Sequence, residues 1–121
     1  MKGLGALESR VMTVLWDSAD ALSVHDVVER LSDDQRVPAY TTVLTVLTHL
    51  WEKKWVLREK VGRSYRYRPS RTRAEATTDL LREILDASPD APAVLLHLAR
   101  TASAHEIEAL RQGISDERHR R

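Results

Sequence analysis

Threonines at 41, 42, 45 and 48, a histidine at 49 and a group of lysines and arginines just downstream are the residues of this 121-residue chain whose types and spacing suit a definite chemistry. On a 3.6-residue period Val43, Val46, Leu47 and Leu50 form one apolar stripe. Thr41, Thr45 and Thr48 align on another face, with Thr42 and His49 at its border. A solvated helix face is ordinarily built from Glu and Lys. Threonine is only a modest helix former, so a run of four points to an exposed face suited to base edges, thymine methyls and phosphates through its short hydroxyl and methyl groups. The alternative is a helix whose threonines merely tolerate partial burial.

The downstream segment favours the first reading. Val56–Val61, Gly62-Arg63 and Ser64–Arg68 predict two short strands around a glycine turn, closed by Pro69. The second strand alternates, with Tyr65 and Tyr67 on one face and Arg66 and Arg68 on the other. From Ala39 to Arg73, nine Lys or Arg oppose two acidic residues, a local excess of +7 in a chain whose total is +1. Charge concentrated beside a helix is the footprint of a phosphate-binding surface, because each neutralised phosphate releases condensed counterion. Thr41, Thr42, Thr45, Thr48 and His49 are therefore the candidates for the major groove. Lys53, Lys54, Arg63, Arg66 and Arg68 are the candidates for phosphates, with Tyr40 suited either to a phosphate or to an apolar contact.

Such a helix needs a scaffold, and the upstream residues supply one. Leu7, Val11, Val14 and Leu15 predict a helix ending near Trp16. Ser23 caps a second, with Asp26 in its first turn and Val24, Val27, Val28 and Leu31 as its buried stripe. A turn follows over 32–36, and Pro38 leads into the third helix at Ala39 or Tyr40. The expected fold is mainly α with a small β-hairpin: a winged helix-turn-helix over 1–70, whose third helix enters the major groove, then a helical dimerisation region over 71–115 and a charged tail over 116–121.

Four segments also carry a family resemblance. Leu7-Glu8-x-x-Val11-Met12-x-x-Leu15-Trp16, Ser23-Val24-x-Asp26-Val27, Ala39-Tyr40-Thr41-Thr42-Val43-x-Thr45-x-Leu47-x-x-Leu50-x-x-Lys53-Lys54 and Arg63-x-Tyr65-x-Tyr67 resemble the penicillinase-repressor (BlaI/MecI/CopY) family. The resemblance implies a dimeric bacterial repressor on an inverted-repeat operator, commonly with TACA/TGTA half-sites. It further implies a membrane sensor protease as partner in staphylococcal-type members and cysteine-bound copper in others. Three departures stand out: His49 where members often carry Arg, Trp55 where they often carry a helix-terminating Gly, and a chain without cysteine, phenylalanine or asparagine. The last removes both the copper-binding cysteines and an Asn-Phe cleavage site, so no inducing signal carries over.

Leu80, Leu81, Ile84 and Leu85 predict a helix ending near Ala87, and Pro92 opens another with Leu95 and Leu98. Ser103-x-x-Glu106 has the form of a capping box ahead of Ile107 and Leu110, in a helix ending near Gly113. About 45 residues make a poor independent core, so pairing with a second copy is the economical way to bury these stripes; a monomer folded back on the winged domain is the alternative. No apolar run approaches the ~18 residues of a membrane span, the N-terminus has no export pattern, and a cytoplasmic protein is expected. The five histidines form no H-E-x-x-H set, and neither a nucleophile elbow nor a complete glycine fingerprint occurs, so no enzyme, metal or cofactor is expected. The remaining rival is a winged helix used as a protein-interaction module for an acidic partner.

Overall fold

Three helices bury their apolar stripes on one another: α1 (Ala6–Trp16), α2 (Val24–Leu31) and α3 (Tyr40–Glu52). The structure, a computed structural model, describes residues 4–32 and 38–120, with side chains through residue 116. Val11, Met12 and Leu15 of α1, Val24, Val27 and Leu31 of α2 and Val43, Leu47 and Leu50 of α3 form one buried cluster with Leu22, Val56 and Tyr67. The turn expected over 32–36 lies, beyond Ser32, outside the described residues. Ser23 caps α2 reciprocally: the Asp26 N–H donates to Ser23 Oγ at 3.1 Å, and the Ser23 N–H donates to Asp26 Oδ2 at 3.1 Å.

That cap has a second consequence. An N-cap residue is extended, and Ser23 sits at φ −75°, ψ 167°, so Leu22–Ser23 forms a short strand, β1. It pairs antiparallel with β3 (Ser64–Pro69), which in turn pairs with β2 (Val56–Val61), giving a sheet ordered β1-β3-β2. The expected two-stranded hairpin is thus the greater part of a three-stranded sheet. Leu22 lies opposite Tyr67 and Ser23 opposite Arg66, and β1 extends no further. Tyr67 is therefore covered while Tyr65, on the same face, projects beyond β1 and stays exposed. Gly62 at φ 65° begins the two-residue turn between Val61 and Ser64, as the hairpin turns with positive φ at their first central position require.

The chain divides into two compact units, Met1–Leu80 and Leu81–Arg121. The boundary falls within α4 (Arg73–Ala87), whose N-terminus carries a reciprocal cap between Thr72 and Glu75. In the first unit the Trp16 indole N–H donates to the Arg71 carbonyl at 2.9 Å, fixing the lead into this helix. The second unit holds α5 (Ala91–Thr101) and α6 (Ala104–Arg120). The Ala93 N–H donates to the Asp90 carboxylate at 3.3 Å, Pro92 occupies the first turn of α5, and Ser103 and Glu106 form the expected capping box. Contrary to the expected end near Gly113 and frayed tail over 116–121, α6 runs on through residue 120. A single interior glycine costs a helix only about 1 kcal/mol, and the residues after it continue the turn without a proline. No helix among the described residues is long and apolar enough to cross a membrane.

Tyr67 is fully buried, yet its hydroxyl has no hydrogen-bond partner among the described residues. An unmatched buried hydroxyl costs about 1–3 kcal/mol. Tyr67→Phe keeps the ring and removes that cost, so urea unfolding should show stability unchanged or raised by up to about 1 kcal/mol; a loss larger than that would mean the hydroxyl is satisfied in solution.

Candidate nucleic-acid interface

With Val43, Leu47 and Leu50 turned into the core, α3 presents Tyr40, Thr41, Thr42, Leu44, Thr45 and His49 outward, and Thr48 half-buried. Two hydroxyls are already committed. Thr45 Oγ1 donates to the Thr41 carbonyl at 2.9 Å, and Thr48 Oγ1 donates to the Leu44 carbonyl at 2.8 Å. Their protons lie against the helix backbone, so these side chains offer methyl groups and acceptor lone pairs. Leu44, 38% exposed amid these threonines, adds an isobutyl group to the same strip. Sequence reasoning did not single it out, since it falls outside the stripe of 43, 46, 47 and 50.

The end of α3 is fixed by backbone geometry. Lys54 lies at φ 67°, in the left-handed region; its N–H donates to the Trp51 carbonyl at 3.0 Å, and the Trp55 N–H donates to the Leu50 carbonyl at 2.9 Å. This is the Schellman pattern, with Lys54 where glycine is usual. The left-handed residue is thus Lys54, one position before Trp55, the position where members of the resembled family often carry glycine. Trp55 is free to pack, half-buried, against the core. The preceding lysine faces home: Lys53 Nζ reaches both Glu8 oxygens, at 3.1 and 3.0 Å, while Glu8 Oε1 also accepts the Gly5 N–H at 3.0 Å. Burial pushes the Glu8 carboxyl up, but the Gly5 N–H, the bound Lys53 ammonium and nearby His49 outweigh it and hold it below the usual carboxylate range.

The hairpin divides its cations in the same way. Arg66 lies 3.7 Å from Asp26, whose carboxyl is held low chiefly by the Ser23 backbone and side-chain hydrogen bonds, with Arg66 a smaller influence. Arg71 pairs with Asp79, and Arg73 with Asp17 at 3.5 Å. Lys54, Arg58, Lys60, Arg63 and Arg68 have no carboxylate partner among the described residues. Arg58 and Lys60 were absent from the sequence-based candidates, whereas Lys53 and Arg66 were among them. Arg58 is distinctive: its guanidinium carbon lies 3.7 Å over the Trp51 ring and 4.1 Å over the Tyr65 ring. Trp51 is accordingly no core residue; it is exposed at the helix end and carries an arginine.

Of the candidates for pairing, Leu81, Ile84, Leu95, Leu98, Ile107 and Leu110 are exposed in the single chain, and Leu80 and Leu85 half-buried. Among the described residues of the second unit, α5 and α6 make no extended contact with each other. Among the described residues no group of three or more His, Asp or Glu is placed to hold a metal ion.

Comparison with known proteins accords with this geometry. The penicillinase repressor family model matches residues 4–116. The chain belongs to the penicillinase repressor family. The transcriptional regulator BlaI of Mycobacterium tuberculosis, in each of two strains, is 37% identical over 116 residues, spanning 93% of this chain and 83% of the relative. Among solved structures, the complex of hsRosR-S4 aligns with a TM-score of 0.57 at 19% identity, covering 90% of this chain and 94% of that one. Streptococcus pneumoniae FabT in complex with DNA aligns with a TM-score of 0.50 at 17% identity, covering 98% and 76%. These distant likenesses show the shared winged-helix fold. Family membership, together with the named relatives, makes the protein a transcriptional regulator of the repressor type.

The Schellman turn yields a direct test. A side chain in the left-handed region costs about 1–2 kcal/mol that glycine avoids, offset in part by glycine's larger unfolded-state entropy. Lys54→Gly should raise unfolding stability by about 0.5–1 kcal/mol; a destabilised variant would show that residue 54 does not hold this conformation.

Proposed function

We propose that this protein is a homodimeric repressor that grips an inverted-repeat operator, with α3 in the major groove and the hairpin on the flanking backbone. One observation carries the reading: a strip of threonine methyls, acceptor oxygens and Leu44 lies beside a hairpin whose Arg58, Lys60, Arg63 and Arg68 have no carboxylate partner within ion-pair distance among the described residues. Thr41, Thr42, Thr45 and Thr48, with His49, read base edges; Lys54, Arg63 and Arg68 set the register on phosphates, and Tyr40 stands at the helix start. Lys53 and Arg66, each already beside a carboxylate, contribute less than their uncommitted neighbours. Residues 1–70 form the DNA-binding part and 71–115 the pairing part.

A helix-turn-helix reads only a few base pairs, so useful specificity needs two copies spaced by about 34–36 Å, one duplex turn. The exposed apolar residues of α4, α5 and α6 are the surface available for pairing. Anything that loosens that pairing, including proteolysis of these helices by a sensor protease, would release the operator without touching a DNA contact. Such a protein works in the cytoplasm, where its DNA is.

Two outcomes test the proposal. The full chain should sediment as a dimer and bind a duplex selected from a random pool at least a hundredfold more tightly than a scrambled one, a gap of the size separating specific from nonspecific complexes. Leu95→Asp with Leu98→Asp should sediment as a monomer and lose most of that preference; a monomeric wild type holding one half-site as tightly as the palindrome would refute the dimer. Replacing thymines of the selected duplex by uracil should weaken wild-type binding about tenfold at one or two positions, and Leu44→Ala should be indifferent to the change. Uniform indifference of the wild type would place a different face of α3 against the bases. Lys54→Gly, though stabilised, should bind every duplex more weakly.

A further inference from the structure

We propose that Arg58 grips one backbone phosphate at the junction of α3 and the hairpin, with Trp51 and Tyr65 acting as the platform that holds it there; the proposal rests on the DNA reading above. Arg58 is half-buried, and its guanidinium carbon lies over the two rings, 3.7 and 4.1 Å from their centroids. Ring faces interact with the flat faces of a guanidinium and leave its in-plane N–H groups unmatched. Among the described residues Arg58 has neither a carboxylate nor a hydrogen-bond acceptor. A partly covered cation whose donors lack acceptors is incomplete in the free protein, and an anionic oxygen pair completes it.

Placement decides what that anion is. Trp51 comes from the last turn of α3, Arg58 from β2 and Tyr65 from β3, so the guanidinium marks the point where the base-reading helix meets the hairpin. Lys60 lies opposite Tyr65 on the same strand as Arg58, and Lys54 follows the end of α3, so two further cations without a carboxylate partner among the described residues stand on the same strand and at the helix end. Repeated anionic charge alongside a groove-binding helix is the pattern of a nucleic-acid backbone. The fork of an arginine fits one phosphodiester through two parallel N–H donors, as a lysine cannot. The stacked rings also remove much of the rotamer freedom that a free arginine would lose on binding.

The test uses the full chain and the selected duplex, titrated at several salt concentrations, with phosphates replaced one at a time by neutral methylphosphonate. Arg58→Gln should bind roughly tenfold more weakly and flatten the dependence of log affinity on log salt by about one phosphate. Arg58→Lys should keep the salt dependence while recovering only part of the affinity, and Trp51→Leu should lose affinity with the charge intact. One neutralised phosphate should cost the wild type affinity and cost Arg58→Gln nothing further. Equal sensitivity of wild type and Arg58→Gln at every phosphate would overturn the assignment and leave Arg58 a structural tie. An Arg58→Gln variant that loses binding to an acidic polypeptide, while wild type ignores every duplex, would instead overturn the DNA reading itself.

Discussion

Burial of Val43, Leu47 and Leu50 on one side of α3 is the constraint on which the rest depends. Because these three side chains are locked against α1 and α2, the rotation of the helix about its axis is settled before any ligand arrives. The opposite face then follows from helical geometry alone: Thr41 and Thr45 point away from the core and Leu44 stands beside them. The same packing sets where the helix ends. Trp55 must return to the core, and the left-handed turn at Lys54 is the shortest backbone route that brings it there. The outward threonine face, the helix end and the hairpin origin are thus consequences of one buried stripe.

Electrostatics adds a second layer. The basic segment is not a uniform patch, because α1, α2 and α4 contribute carboxylates that engage part of it. Glu8 answers Lys53, Asp26 answers Arg66, and Asp17 and Asp79 answer the arginines leading into α4. Those pairs are partly exposed and worth little individually to stability. Their larger effect is spatial, since they concentrate the uncompensated charge on the hairpin and on Lys54.

Much of this was legible in the residues. The stripe of 43, 46, 47 and 50, the Ser23 cap and the 103–106 capping box are local signals with fixed spacing, and each marks an element that the structure contains. The glycine turn at Gly62 was legible for the same reason. What escaped depends on residues far apart in sequence. β1 is two residues long and exists because β3 passes beside it, and the Lys53–Glu8 pair joins opposite ends of the helical scaffold. The Trp51, Arg58 and Tyr65 cluster unites three elements, and no single periodicity contains it. Lys54 shows a different limit: propensity assigns the left-handed position to glycine or asparagine, and the demands of packing placed a lysine there.

The hairpin closes with two residues, Gly62 and Arg63, between the paired Val61 and Ser64, and this restricts how the protein can change over evolutionary time. In a strand the side chains alternate, so inserting or deleting one residue in β3 between the turn and Tyr65 would exchange its two faces. The tyrosines would then occupy the solvent side and the arginines the core side, losing the covered ring of Tyr67 and the platform under Arg58 together. Lineages derived from this architecture are therefore free to lengthen or shorten the hairpin in steps of two residues, or at the tip with a new turn, while odd steps inside the strand are barred by the fold before selection on DNA sequence has any say.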